Sequence, residues 1–265
     1  MRFIDLAVTL DNSPIYPENH RPRIDYFDHE APFHNGAWEA AFPGVAAEAL
    51  PEGQSWATER VHLGTHTGTH MDSPWHYHPT TDHATKDGPR KSPGIDEVPL
   101  DWCYRPAVKL DFSRFPAGYV VTAKDVEEQL SAIGHELQPL DIVLVHTRGA
   151  SRYGEVDYGD AHCGMGREAT LYLTQRGIRV VGTDGFGWDA PFASMTENYR
   201  RTSDKSVLWE GHKAGIEIGY FQMEKLINLD QLPPKGFRVI CFPIKIRGAS
   251  AAWVRPVALI EEVVS

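Results

Sequence analysis

Six of the chain's thirteen histidines fall between positions 62 and 83: His62, His66, His70, His76, His78 and His83. At thirteen in 265 residues, even scatter would give a stretch of that length about one. Imidazole binds divalent metals and titrates near neutral pH, so such a cluster points to metal or proton chemistry. His66, His70, Asp72 and His76 share even parity, and an extended segment would aim all four side chains one way. Gly64, Gly68 and Pro74, with Thr65, Thr67 and Thr69, argue against a helix here. A straight strand would hold His66 and His70 roughly 13 Å apart, at about 3.3 Å per residue. Ligands of one ion sit only about 2 Å from it. A shared metal therefore demands a bend, which Gly64 and Gly68 can supply while Pro74 fixes the exit.

Residues 66–76 read His-Thr-Gly-Thr-His-Met-Asp-Ser-Pro-Trp-His. This segment resembles the signature of the cyclase family of metal-dependent hydrolases, His-x-Gly-Thr-His-x-Asp-x-Pro-x-His. That family includes bacterial kynurenine formamidase and isatin hydrolase. All of the specified positions match. The resemblance implies that His66, His70 and Asp72 are metal ligands and that His76 is the acid/base. It also implies a swivelling β/β/α fold. Two imidazoles and one carboxylate suit Zn2+, Mn2+ or Fe2+ and leave positions open for water and substrate. An ion so held would lower the pKa of water and polarise a substrate carbonyl. His62, His78 and His83 lie outside the pattern and read as solvated or flanking residues, although His62 shares the even parity and could line the site.

A second tier lies far downstream. His212 and Glu224 are twelve residues apart, and Leu226, Asn228 and Leu229 follow, which resembles the family's C-terminal pattern. In the formamidases such a pair completes a second metal site that shares the motif aspartate. In isatin-type members the histidine touches substrate instead. One or two ions, expected as Zn2+ or Mn2+, are therefore compatible with this chain. The plain alternative is a surface histidine and a helix-start glutamate. Gln222 is a weaker candidate ligand, because an amide oxygen binds metals less strongly than a carboxylate. Tyr16 and Pro17 sit where the formamidases carry an aromatic–Pro pair that packs on substrate; a rigid aromatic turn is the plain reading. Trp75, Tyr77, Phe186 and Trp188 could form a flat apolar pocket, with Tyr16, Trp75 and Trp188 as substrate-binding candidates, although core packing explains most aromatics.

The elements that must carry these residues are α/β in type. Phe3 to Val8, Thr58 to Leu63 and Ala107 to Phe112 read as strands. Thr122 is placed to cap a helix with Asp125 in its first turn, and Val126, Leu130 and Ile133 give that helix one apolar face. Asp141 to His146 is a continuous apolar run, as expected of a strand covered on both faces. A helix over Arg167 to Arg176, stopped by Gly177, leads to a second buried strand over Ile178 to Gly182. Strand, helix, strand at this spacing is a parallel crossover unit, and ligands gather beyond the carboxyl ends of such strands. That topology makes His146, Thr147, Arg148, Asp184 and Trp188 pocket candidates. Phe237 to Ile246 and Val254 to Val264 are β-rich, interrupted by Pro243 and Pro256. Ala31 to Gly53 reads as loop or short helix. The fold class expected is α/β, a single domain over 1–265 with a mixed sheet and some parallel strands.

Composition limits the function classes. The formal charge of −10 argues against nucleic-acid or anionic-membrane partners. Cys103, Cys163 and Cys241 are few, odd in number and far apart, which suits a reducing, cytoplasmic home. There is no His-Glu-x-x-His, no Gly-x-Ser-x-Gly and no phosphate-binding loop. The expectation is a metal-dependent hydrolase acting on an amide, formamide or lactam C–N bond of an aromatic small molecule. Metal-activated water is the nucleophile and His76 is the acid/base. A lactone or ester hydrolase, a dehydratase, and a non-catalytic metal- or ligand-binding protein are the alternatives. A homodimer or homotetramer is expected from the resemblance.

Overall fold

The computed structural model describes residues 1–12 and 21–261. Tyr16 and Pro17 lie outside the described residues. The chain divides into two compact units, 1–9 with 65–265, and 10–64.

The larger unit is built on a nine-stranded mixed sheet. Its strands run in the spatial order Arg2–Asp5, Val257–Ile260, Phe237–Ile240, Tyr104–Asp111, Ile142–His146, Val180–Thr183, Phe221–Glu224, His70–Asp72 and Ala251–Trp253. The four strands from Tyr104–Asp111 to Phe221–Glu224 are mutually parallel. The flanking strands pair antiparallel. The fold is thus α/β with a mixed sheet containing parallel strands, as the apolar runs predict.

The apolar run over Ile142–His146 is buried because each of its faces meets a separate core. Ile142 and Leu144 pack with Val180, Met223 and Leu226. Val143 and Val145 turn the other way, to Val181, Val126, Leu130 and Leu173. Alternate residues of a strand point to opposite faces, so a strand buried on both sides carries no polar alternation. The second core is roofed by the helices Ala123–Ile133 and Arg167–Thr174. Thr122 and Asp125 form the predicted cap: Thr122 Oγ1 accepts from the Asp125 N–H, and Asp125 Oδ2 accepts from the Thr122 N–H at 2.8 Å. Gly177 has φ +86°, consistent with its place as a stop after the second helix. Of the β-rich segment over 254–264, Val257–Ile260 is the strand, and it lies between Arg2–Asp5 and Phe237–Ile240; Ala251–Trp253, ahead of Pro256, forms the opposite edge of the sheet.

The smaller unit pairs Arg23–Phe27 with Thr58–His62 and adds the short helices Ala31–His34 and Ala37–Ala41. Phe33, Phe42 and Trp56 gather round Trp38. Among the described residues no helix is long and apolar enough to cross a membrane.

Candidate metal centre

The histidine segment is neither a continuous strand nor a helix. Residues 65–69 form a turn in which Gly68 takes φ +66°, a left-handed conformation open to glycine at little cost. This bend is what the ligand spacing requires. His70–Asp72 is a short strand, so His70 and Asp72 point to one face. Pro74 then opens a single helical turn, Pro74–Tyr77, that carries His76 back toward Asp72. The even-parity expectation therefore holds only between His70 and Asp72. His66 and His76 arrive by a turn and by a helix.

The rings converge on Asp72, whose carboxylate is fully buried. His66 Nδ1 lies 2.9 Å from Asp72 Oδ1, and His70 Nε2 lies 3.2 Å from the same oxygen. His76 Nε2 is 3.9 Å from Oδ2. The rings of His66 and His70 are 5.1 Å apart, and those of His66 and His76 are 4.1 Å apart. Among the described residues, two trios bring one donor atom each within 4.8 Å of one another: His66, Asp72 and His76, and His70, Asp72 and Glu224. Asp72 belongs to both. The expected trio of His66, His70 and Asp72 is thus divided between two groups that meet at one carboxylate.

These donors suit a cation. His70 Nε2 and Asp72 Oδ1 are buried and face each other at 3.2 Å, and neither makes a contact of good hydrogen-bond geometry. A buried polar atom left unpaired costs on the order of 1–3 kcal/mol. A divalent ion would satisfy both atoms at once. The outward nitrogens are held as metal-binding imidazoles usually are. His70 Nδ1 is 2.9 Å from the Gly68 carbonyl, and His66 Nε2 is 3.0 Å from Ser250 Oγ. Each ring is therefore oriented with its other nitrogen aimed at Asp72.

Glu224 and Gln222 enter from the neighbouring strand. In the antiparallel register His70 faces Glu224 and Asp72 faces Gln222. Glu224 Oε2 is 3.6 Å from His70 Nε2, and Glu224 Oε1 accepts from the Trp188 backbone N–H at 3.1 Å. His212, on the short helix Glu210–Ala214, is buried. Its Nε2 lies 3.5 Å from Glu224 Oε1 and 3.8 Å from Asp72 Oδ2. Asp189 accepts from the backbone N–H groups of Gly211 and His212 and binds His212 Nδ1. Gly164 packs against the Asp189–Ala190 backbone so closely that a Cβ there would lie 1.9 Å from Ala190 N.

The charges follow from this packing. Burial opposes ionisation of Asp72, but the facing rings of His70 and His66 outweigh it and hold its carboxyl well below the usual range. Burial lowers His76 to about 4, so its ring is neutral at pH 7. Burial also opposes a charged His212, yet Asp189, Asp72 and Glu224 outweigh it and push its pKa up to about 10. The Gln222 amide nitrogen, 2.7 Å from His212 Nε2, favours the neutral ring instead. Two N–H groups cannot face each other at that distance, so the contact decides. Nε2 is the acceptor, and the proton sits on Nδ1 toward Asp189.

The aromatic candidates separate. Trp75 is 42% exposed and lies near Lys91. Trp188 is corrected from substrate wall to core residue. Its ring is 1% exposed, packs with Met165 and Tyr220, and donates from Nε1 to Thr170 Oγ1. Its part in the site is the backbone N–H on Glu224. Tyr77 is buried between the His212 and Tyr220 rings. His78 and His83 both bind Thr80. His62 lies in the smaller unit, exposed and 3.7 Å from Asp25. His146, Thr147 and Asp184 form their own group, in which Asp184 Oδ1 accepts from Thr147 N–H and Oγ1.

Besides Asp189, which holds His212, three contributors escaped the sequence reading. Ser250 orients His66. Trp209 stacks on His212 at 4.3 Å and meets His76 edge-on at 5.1 Å. Lys225 is buried with its ammonium 3.6 Å from Glu224 Oε2. A lysine between the apolar Met223 and Leu226 was the one usable signal; Ser250 and Trp209 carry none.

The family model described as "Putative cyclase" matches residues 4–190. The chain belongs to the cyclase family. It is 27% identical over 197 residues to a kynurenine formamidase of Salinibacter ruber, covering 74% of this chain and 77% of that protein. It is 26% identical over 219 residues to an isatin hydrolase of Roseibium aggregatum, covering 79% and 77%. Among solved structures, an isatin hydrolase bound to the product analogue thioisatinate superposes with a TM-score of 0.72 at 21% identity, covering 98% of this chain and 92% of that one. Isatin hydrolase A from Ralstonia solanacearum gives 0.70 at 24% identity, with coverage of 98% and 92%. These structures share the fold.

Proposed function

We propose that the chain is a divalent-metal hydrolase that opens an amide, formamide or lactam C–N bond in an aromatic small molecule. The observation that carries this reading is the buried pair of His70 Nε2 and Asp72 Oδ1, neither in good hydrogen-bond geometry, set among His66, His76 and Glu224. The names of the relatives, a formamidase and an isatin hydrolase, support the bond type.

His66, His70 and Asp72 would hold the ion, which is Zn2+ or Mn2+. When bound, it supplies a Lewis acid for the carbonyl oxygen and lowers the pKa of water to near neutrality. The remaining work falls to side chains. His76 is 25% exposed in its side chain, neutral at pH 7, and points into the same cluster. It takes the proton of the attacking water and returns it to the leaving nitrogen. Asp189 and Gln222 hold His212 at the edge of the cluster. Trp209 shields that edge from water. A homo-oligomer acting on a small molecule remains the proposed state.

His70→Ala and Asp72→Ala should each lose both bound metal and hydrolysis, measured by elemental analysis and by turnover. Unchanged metal content in both would overturn the reading. A panel of N-formyl anilines, isatins and lactones then separates C–N cleavage from ester chemistry.

A further inference from the structure

The two carboxylates of the cluster present four oxygens, and these sort into two sets. Asp72 Oδ1 and Glu224 Oε2 face His70 Nε2. Asp72 Oδ2 and Glu224 Oε1 face His212 Nε2. The second set, two oxygens and an imidazole nitrogen, has the chemistry of another divalent position. In this chain that space is taken.

The Gln222 side-chain nitrogen stands 2.8 Å from Glu224 Oε1, 3.3 Å from Asp72 Oδ2 and 2.7 Å from His212 Nε2. It touches all three donors of the second set. The amide orientation is fixed by the carboxylates it faces, because Glu224 Oε1 and Asp72 Oδ2 can only accept and so call for the amide N–H groups. Turning the amide would set two oxygens against each other at Glu224. Gln222 is completely buried and lies directly opposite Asp72 in the sheet register, so it has no room to swing aside. A second ion about 2 Å from each donor would overlap this nitrogen.

Lys225 completes the substitution on the charge side. It holds φ +59°, a conformation few non-glycine residues adopt. Its backbone is pinned there, with its N–H on the Gly185 carbonyl and its carbonyl receiving the Thr69 hydroxyl. This turns the ammonium back into the cluster. Nζ is 3.6 Å from Glu224 Oε2, donates to the His66 carbonyl at 3.3 Å, and lies over the Phe186 ring. The buried glutamate thereby has a counter-charge from the next residue in the chain and needs none from a second ion.

We propose that Gln222 and Lys225 replace the second ion, making the centre mononuclear: Gln222 occupies the position between His212, Glu224 and Asp72, and Lys225 neutralises Glu224. The inference rests on the metal-hydrolase reading above. A variant that loses both groups becomes a two-ion site.

The test counts ions. Wild-type protein and the Gln222→Ala/Lys225→Met double variant are stripped with chelator, reloaded with excess Zn2+ and desalted; the metal is then measured per chain by mass spectrometry. Parallel Mn2+ samples are read by electron paramagnetic resonance, which distinguishes an isolated ion from an exchange-coupled pair. Circular dichroism checks that the double variant is folded, and Gln222→Ala alone, which empties the position itself, serves as the second variant if it is not. The expected result is one ion in the wild type with an isolated-ion spectrum, rising toward two with a coupled spectrum in the variant. Two ions in the wild type, or one ion in a folded variant, overturns the inference and leaves the hydrolase reading standing. No ion in the wild type overturns that reading and the inference with it.

Discussion

His76 and its near neighbours differ in what they face, and this sets separable roles. His70 is enclosed and aimed at Asp72, whereas His76 is reached by solvent and sits at the cluster's mouth. His76→Ala should therefore keep the metal while kcat falls by roughly 10²–10⁴-fold, the range for a general acid–base group. Elemental analysis beside steady-state kinetics checks this, and loss of metal would make His76 a ligand. Because burial holds His76 near 4, its neutral form persists well below the ordinary histidine range. The acid limb of kcat/KM should then lie well below pH 6.5. Residues 66–76 were legible because their spacing is local. Ser250, Trp209 and Lys225 were not, because they come in from far along the chain, Ser250 and Lys225 beside paired strands and Trp209 ahead of the helix Glu210–Ala214, where spacing carries no message. Trp188 misled because an aromatic beside a glycine-rich turn reads alike whether it lines a pocket or fills the core.

At the scale of elements, the site depends on one bend and one cross-strand register. Gly68 makes the bend at φ +66° and also offers the carbonyl that orients His70. Gly68→Ala forces a side chain into the left-handed region, at a cost of about 1–2 kcal/mol. The expected outcome is a lower unfolding midpoint together with weaker metal binding, read by denaturation and by titration with Zn2+. The cap of the helix Ala123–Ile133 offers a contrast. Thr122→Ala removes one side of the capping pair and should cost about 1 kcal/mol. Metal content should not change, because that helix packs on the sheet and supplies no donor. The capping pair, the parallel crossover and the doubly buried strand were all readable, since each depends on residues within one or two turns of each other. The strand Ala251–Trp253 lies outside the segments that read as β-rich, between Ile246 and Val254. Its three residues are too few for a period, and its pairing with His70–Asp72 is non-local.

At the scale of the whole molecule, acid should unfold the protein partly through a buried base. His162 is 2% exposed, and burial depresses its pKa below 6.5. The folded state then binds fewer protons than the unfolded chain, so the contribution is complete above about pH 6.5 and is lost as pH falls below it. Replacing His162 by Gln should shrink the drop in urea midpoint between pH 7 and pH 5; an unchanged drop would place the acid sensitivity elsewhere. The α/β class and its parallel strands were evident from apolar patterning, whereas the nine-strand order was not, because order is set by partners that the pattern leaves unnamed. One feature of that order reaches beyond the folded state. His70 and Glu224 are direct neighbours across the sheet, yet most of the chain is synthesised between them. A nascent polypeptide on the ribosome therefore exposes the motif histidines and Asp72 long before Glu224 emerges. The final arrangement around Asp72 must wait until translation is nearly finished, which makes completion of this centre a late step in the protein's biogenesis.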